Sequence, residues 1–190
     1  CEYLTLVQCR ENVDDALKGV LWYSPVCPDA SWMLPIYASV TELNPTYNVD
    51  AGDHYEFTRK SMRWAVGSLS TYMNIKFEPM YADMCEFRDK YEGAAIRNQA
   101  AIEAAATELL KNDREAGIAF LTDYTYRLAD SYLNAIWDTV DYLIWKYDMG
   151  FVTTKGGRTV GMGYPQDWVD LVFEHSYGTT DIRGWEVTGW

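Results

Sequence analysis

Few residues in this sequence are suited to covalent chemistry. Cys1 opens the run CEYLTLVQC, and a cysteine at a true amino terminus carries its base beside it. The α-amine, with a pKa of about 8, can take the proton of its own thiol. A modest fall in thiol pKa yields much thiolate at neutral pH, so cysteine is easily activated. The same residue has a plainer origin wherever a longer protein is cut, or is numbered from an internal position. The residues alone leave both origins open. Acid pairs come next: Asp14 and Asp15, Asp138 and Asp141, Asp167 and Asp170. Glycoside hydrolysis needs two carboxyls about 5–10 Å apart across a cleft, whereas a strongly acidic chain is expected to carry solvated acids. His54, within AGDHYEF, has the side chain of a general base, but a lone histidine beside a turn is more often a surface or capping group. No Gly-x-Ser-x-Gly elbow occurs.

Nothing calls for a metal or cofactor. The four cysteines, Cys1, Cys9, Cys27 and Cys85, could pair in three ways, and the sequence does not choose among them. There is no Cys-x-x-Cys, and only His54 and His175 could join a zinc site. The glycine-rich FVTTKGGRTVGMGYP has neither the phosphate-loop nor the dinucleotide-loop spacing and reads as a hairpin or flexible loop.

The elements that would position such groups belong to a substantial folded chain. Its 190 residues include eight Trp and fifteen Tyr, which excludes disorder. A net charge of −12 argues against a nucleic-acid surface and against docking on anionic lipid. No run approaches the roughly 18 apolar residues of a membrane span, and no signal peptide is visible, so a soluble protein is expected, with its compartment open.

Residues 1–50 read as mainly strands. EYLTLVQC alternates Leu4, Leu6 and Gln8 against Tyr3, Thr5, Val7 and Cys9. Being apolar on both faces, it predicts a strand inside a sheet or between layers. KGVLWYSP and WMLPIYASV are the next strands, and Pro35 assigns the last to an edge or a bulge. Residues 55–149 read as mainly helices. One covers the stretch around Phe57, Met62, Trp64, Ala65, Leu69, Tyr72 and Met73, with Gly67 weakening it. A second is AIRNQAAIEAAATELLKN, with Ile96, Ala100, Ile102, Ala106 and Leu109 inward and a stop at Asn112. A long third runs from about Ala116 to Gly150, where the glycine suits a helix end. Its stripe includes Phe120, Tyr124, Leu128, Leu133, Ile136, Trp137, Val140, Leu143, Ile144 and Tyr147, and reads as core. Residues 150–190 read as a loop, a short helix and a tail. The whole, 1–190, is expected to be a single domain or the C-terminal part of one.

The run LKGVLWYSP…SWMLPIYASVTELNPTYNV, above all Trp22, Leu34-Pro35-Ile36-Tyr37, Val40-Thr41-Glu42 and Pro45 to Tyr47, resembles the dipeptidase and secernin family of N-terminal-nucleophile cysteine hydrolases. RKSMRWAVGSLSTY and the later helices are similar to that family too, so the resemblance covers most of residues 3–148. It implies an α+β fold, part of an αββα sandwich, in which a cysteine freed by leader removal attacks the amide carbonyl of a small peptide. It also implies that Cys1 is not that cysteine. The family's nucleophile is followed closely by Asp-Gly, a pair this chain lacks, and Tyr3 to Gln8 resembles a strand deep inside the family's sequence. The chain is therefore expected to be the C-terminal portion of a cysteine-type dipeptidase-like hydrolase, completing a sheet and walling the cleft. An N-terminal portion or companion chain of the same protein is the expected partner, with homo-oligomer or assembly formation further expectations. The rival expectation is a non-catalytic relative serving as a structural or interaction subunit. Catalytic and substrate-binding residues stay unassigned, with Cys1 the only nucleophile candidate.

Overall fold

A computed structural model describes residues 3–48, 56–159, 163 and 166–172. The chain forms two compact units, Cys1–Leu143 and Ile144–Trp190, and the architecture is α+β, with strands early and long helices later.

In the first unit, β1 (Tyr3–Cys9), β2 (Gly19–Pro25) and β3 (Leu34–Tyr37) form an antiparallel sheet in the order β1-β2-β3. Leu6 lies opposite Trp22, and Trp22 opposite Pro35. Pro35 is thus tolerated on an edge strand, as its missing N–H requires. The link from β1 to β2 tightens through a 3₁₀ turn at Asp15–Leu17, which Asp14 caps by accepting from the Ala16 N–H at 2.8 Å. In β2, Val20, Trp22 and Ser24 are buried and alternate with half-buried neighbours. β1 departs from expectation: it is an edge strand, and all its residues are exposed except half-buried Gln8. Apolar residues on both faces require neighbours on both faces, and among the described residues β1 lacks them.

The helices are α1 (Met62–Met73), α2 (Phe77–Arg88), α3 (Ala94–Asn112) and α4 (Arg114–Lys146), with a π-helical turn, Asp89–Gly93, joining α2 to α3. Phe57 precedes α1, although its period continues the helical one. α2 has a weak apolar signature, burying only Met80 and Met84. Its Pro79 falls in the first turn, where the missing N–H costs no intrahelical bond.

The core joins Ala16, Leu17, Val20, Trp22 and Tyr37 to Ala106 and Leu110 of α3 and Leu121 of α4. The expected α3 stripe is met in part: Ala106 lies in the core and Ile102 packs half-buried against it, whereas Ile96, Ala100 and Leu109 are exposed. Ala95 and Leu110 are buried as well. The sheet-facing stripe also carries Gln99 and Glu103, so apolar periodicity points away from it. α3 stops at Asn112 as expected, and α4 begins at Arg114 after the single residue Asp113, whose carboxylate accepts from the Ala116 N–H at 3.1 Å. The two helices touch at Gly117, where a Cβ would lie 2.5 Å from Leu110 Cγ. Along α4 the buried line is Leu121, Thr125, Ala129, Tyr132, Ile136, Val140 and Leu143. Phe120, Tyr124 and Leu128 flank it half-buried.

The second unit contains a 3₁₀ turn (Asp148–Gly150), the hairpin β4 (Val152–Thr154) and β5 (Gly157–Thr159), and α5 (Gln166–Val172). Gly150 and Gly157 take positive φ, 78° and 127°, and Arg158 pairs with Asp148 at 2.5 Å. Among the described residues no helix is long and apolar enough to cross a membrane.

Candidate functional site

A directed chain of hydrogen bonds links the helix-facing side of the sheet to α3. Trp22 Nε1 donates to Gln8 Oε1 at 3.4 Å, and Gln99 Nε2 donates to the same oxygen at 2.9 Å. Gln99 Nε2 also donates to Glu103 Oε1 at 2.9 Å, which accepts from Tyr37 Oη at 3.1 Å. Arg10 donates to the other Glu103 oxygen and to the Leu17 carbonyl. The chain admits only one orientation of its amides. An indole N–H only donates, so the Gln8 atom facing Trp22 is its oxygen; a carboxylate only accepts, so the Gln99 atom facing Glu103 is its nitrogen. Both Gln99 amide hydrogens are then engaged. Gln99 Oε1 and the Gln8 NH2 have no hydrogen-bond partner among the described residues.

Beside this chain lies an open hollow of about 380 Å3, lined by Leu6, Gln8, Trp22, Met33, Glu92, Ile96 and Gln99 along with Val7. Its helical wall comes from one stripe, since Glu92, Ile96, Gln99 and Glu103 recur at intervals of four, three and four. Glu92 sits within the π-helical turn and accepts from the Met33 N–H through Oε2 at 3.2 Å. Burial raises its carboxyl pKa above the ordinary value, opposed by the Met33 N–H and by Arg88. Burial and the Glu103 charge raise the Tyr37 phenol, which is therefore neutral and a donor throughout the physiological range. Among the described residues the hollow presents amides, a carboxylate and apolar side chains, groups that can bind and orient a ligand.

Cys1 and His54 lie outside the described residues. The acid pairs are solvent-facing or structural. Asp14 caps and pairs with Arg114, Asp15 pairs with Lys18, Asp141 pairs with Arg59, and Asp138, Asp167 and Asp170 are exposed. Neither Asp14–Asp15 nor Asp138–Asp141 is among the described residues that line the hollow. Cys9, Cys27 and Cys85 are free thiols. Among the described residues no group of three or more His, Cys, Asp or Glu is placed to hold a metal ion. Sequence reasoning placed Gln8 on the face of Leu4 and Leu6 but assigned roles to neither Glu92, Gln99 nor Glu103. The available signal was their helical spacing, polar where the buried face should be apolar.

An antiparallel sheet backed by helices, with a strand carrying Trp22 followed by one carrying Pro35 and Tyr37, agrees with the α+β class that the hydrolase resemblance implies. Residues 2–90, just under half of the chain, match the model of peptidase family C69. The match is consistent with the dipeptidase and secernin family of cysteine peptidases. It contains β1 to β3, α1, α2 and the start of the π-helical turn. No curated protein matches the chain.

Proposed function

We propose that this chain is the C-terminal portion of a cysteine-type, dipeptidase-like amide hydrolase whose nucleophile is supplied by a companion segment of the same protein. In this reading strands of the companion extend the sheet at β1, and the helices form the outer layer beside the substrate cleft. The observation that carries it is the state of β1. This seven-residue edge strand has no charge and no proline, and Leu6 and Val7 are 57% and 64% exposed. Proteins ordinarily blunt a free edge with charged residues or proline, and exposed apolar surface of this kind marks a contact. The peptidase family match supports the class of reaction.

The test is the intact mass and N-terminal sequence of the natively isolated protein, with turnover of a dipeptide panel before and after thiol alkylation. The expected result is a companion segment retained with this chain, and dipeptide cleavage that alkylation abolishes. Val7→Lys should weaken retention of the companion. A native species without a companion, or turnover indifferent to alkylation, overturns the reading. A retained companion with no turnover assigns the protein to the non-catalytic alternative.

A further inference from the structure

We infer that the buried polar cluster of Trp32, Tyr47 and Tyr132 is a binding site for ordered water, which ties four separate elements together. The first argument is hydrogen-bond accounting. Trp32 and Tyr132 are only 1% and 0% exposed, and the Tyr47 hydroxyl is enclosed although the residue as a whole is half-buried. Neither Trp32 Nε1, Tyr47 Oη nor Tyr132 Oη has a hydrogen-bond partner among the described residues. Buried polar groups are almost always partnered, and one left dry costs its full desolvation. Phenylalanine would fill nearly the space of either tyrosine without that cost, so the hydroxyls imply a ligand.

The second argument is convergence. Trp32 lies in the link from β2 to β3, Tyr47 closes a 3₁₀ turn at Pro45–Tyr47, and Tyr132 belongs to α4. Trp32 meets Tyr132 edge to face, with ring centroids 5.9 Å apart, and stacks at 5.6 Å on Tyr91 of the π-helical turn. The next residue of each stacked partner, Met33 and Glu92, share a hydrogen bond, which holds the Glu92 carboxylate beside the cluster. Burial raises the Tyr132 phenol, and the Glu92 and Tyr47 side chains raise it further, so both lie within its electrostatic reach. Burial raises the Tyr47 phenol too. Both hydroxyls therefore keep their protons at physiological pH and can donate.

The third argument is the choice of ligand. The indole of Trp32 only donates, an ionised Glu92 only accepts, and each phenol does either. Glu92 repels an anion. A metal ion meets an indole N–H that has no lone pair to offer. An apolar guest would leave all three polar atoms without partners. Water offers two donors and two acceptors, and a buried water typically makes about three hydrogen bonds to such groups. Held here, it joins the β2–β3 link, the 3₁₀ turn, the π-helical turn and α4, which are far apart in the sequence. Trp32, Tyr47 and Tyr132 are not among the described residues that line the hollow beside β1, and the inference rests on neither the peptidase reading nor a companion segment.

The experiment is a high-resolution crystal structure of the whole native protein, paired with water-to-protein NOE and ROE spectra. Density for at least one water should lie about 2.7–3.2 Å from Trp32 Nε1 and from one of the two hydroxyls. The Trp32 indole N–H, identified as the indole signal missing from Trp32→Phe, should show water cross-peaks of opposite sign in the two spectra. They should persist in Tyr132→Phe, with its fold checked by circular dichroism, because Trp32, Tyr47 and Glu92 remain. Their loss in that variant would assign them to exchange of the Tyr132 proton and overturn the inference. Absence of the cross-peaks from the native protein, direct bonds among the three side chains, or an ion or organic molecule in the place of water overturns it as well.

Discussion

Gln8 of β1 and Gln99 of α3, 91 positions apart in the chain, share a hydrogen bond of 2.9 Å. That bond ties an edge strand, otherwise exposed, to the helix that backs the sheet. It sits midway between an indole that can only donate and a carboxylate that can only accept, so both amide planes are fixed from their far ends.

Glu103 should be the most sensitive member of this chain. It accepts from Tyr37, Gln99 and Arg10 and is only 15% exposed. Glu103→Ala strands three donors and should cost about 2–3 kcal/mol in urea unfolding, while Tyr37→Phe should cost about 1 kcal/mol. The double mutant should cost less than the two singles together. Simple additivity would mean that the two side chains do not cooperate.

The raised Glu92 carboxyl makes a prediction about pH. Burial favours its protonated form, so the native state holds that proton more tightly than the unfolded chain. The contribution is fully present below the ordinary value of 4.5 and is lost as pH rises through the higher native value. Glu92→Gln removes this titration. Its stability relative to the parent should therefore climb from about pH 4.5 upward and then level off. Urea midpoints for both proteins between pH 4 and 8 measure the difference, and a flat or falling one contradicts the assignment. Arg88 and Tyr132, the charged and titratable neighbours, titrate above this window.

Two helical glycines should respond oppositely to alanine. At Gly67 the nearest atom to a new Cβ is Val26 Cγ1 at 3.9 Å, so Gly67→Ala should raise stability by about 0.5–1 kcal/mol through helix propensity. At Gly117 a Cβ would meet Leu110 Cγ at 2.5 Å and the Leu110 backbone nitrogen at 3.0 Å. Gly117→Ala should lower stability by about 1–3 kcal/mol despite the same gain in propensity. Thermal melts of the pair suffice, and a stabilised Gly117→Ala would show that α3 and α4 can part there freely.

Asn44 should prove a structural anchor. It is buried, accepts from the Thr46 N–H at 3.0 Å, and donates to the Tyr126 carbonyl and to Asp130 at 3.0 and 2.8 Å. Asn44→Ala should cost about 2 kcal/mol. Asn44→Asp should cost at least as much at neutral pH, since it sets a second carboxylate against Asp130. Recovery of Asn44→Asp, but not of Asn44→Ala, on mild acidification would identify that repulsion.

Much of the frame was legible in the residues. The alternation of Tyr3–Cys9 placed Leu4, Leu6 and Gln8 on one face, and the register with β2 bears this out. Pro35 left its strand at an edge or a bulge, of which the sheet shows the edge, and Asn112 ended its helix. Within this chain β1 stands at an edge, because two apolar faces describe the neighbours a strand needs, whereas its place in a three-stranded sheet depends on which strands are there. The face of α3 was legible only in part: Ala106 and Ile102 meet the core, but the helix also directs Gln99 and Glu103 toward the sheet, and an apolar period cannot report a polar contact. α2 escaped notice for want of an apolar stripe, with two methionines carrying its buried side. The hollow was illegible for another reason. It pairs residues 6–8, 22 and 33 with residues 92–99, and no local pattern encodes that juxtaposition.

The π-helical turn at Asp89–Gly93 sets the phase of everything after it. A widened turn holds one residue more than an α-helical one, and each residue of a helix advances the azimuth by about 100°. Gly93 leaves room there for Asp89, whose carboxylate and carbonyl both receive Arg97 at 2.9 Å. Deleting one residue between 89 and 93 would let α2 and α3 run on as a single regular helix. In one step, with no side chain substituted, Gln99 and Glu103 would swing away from Gln8, Tyr37 and Arg10. The wide turn is a one-residue register key for the helix beyond it, and the hollow exists only in the setting it selects.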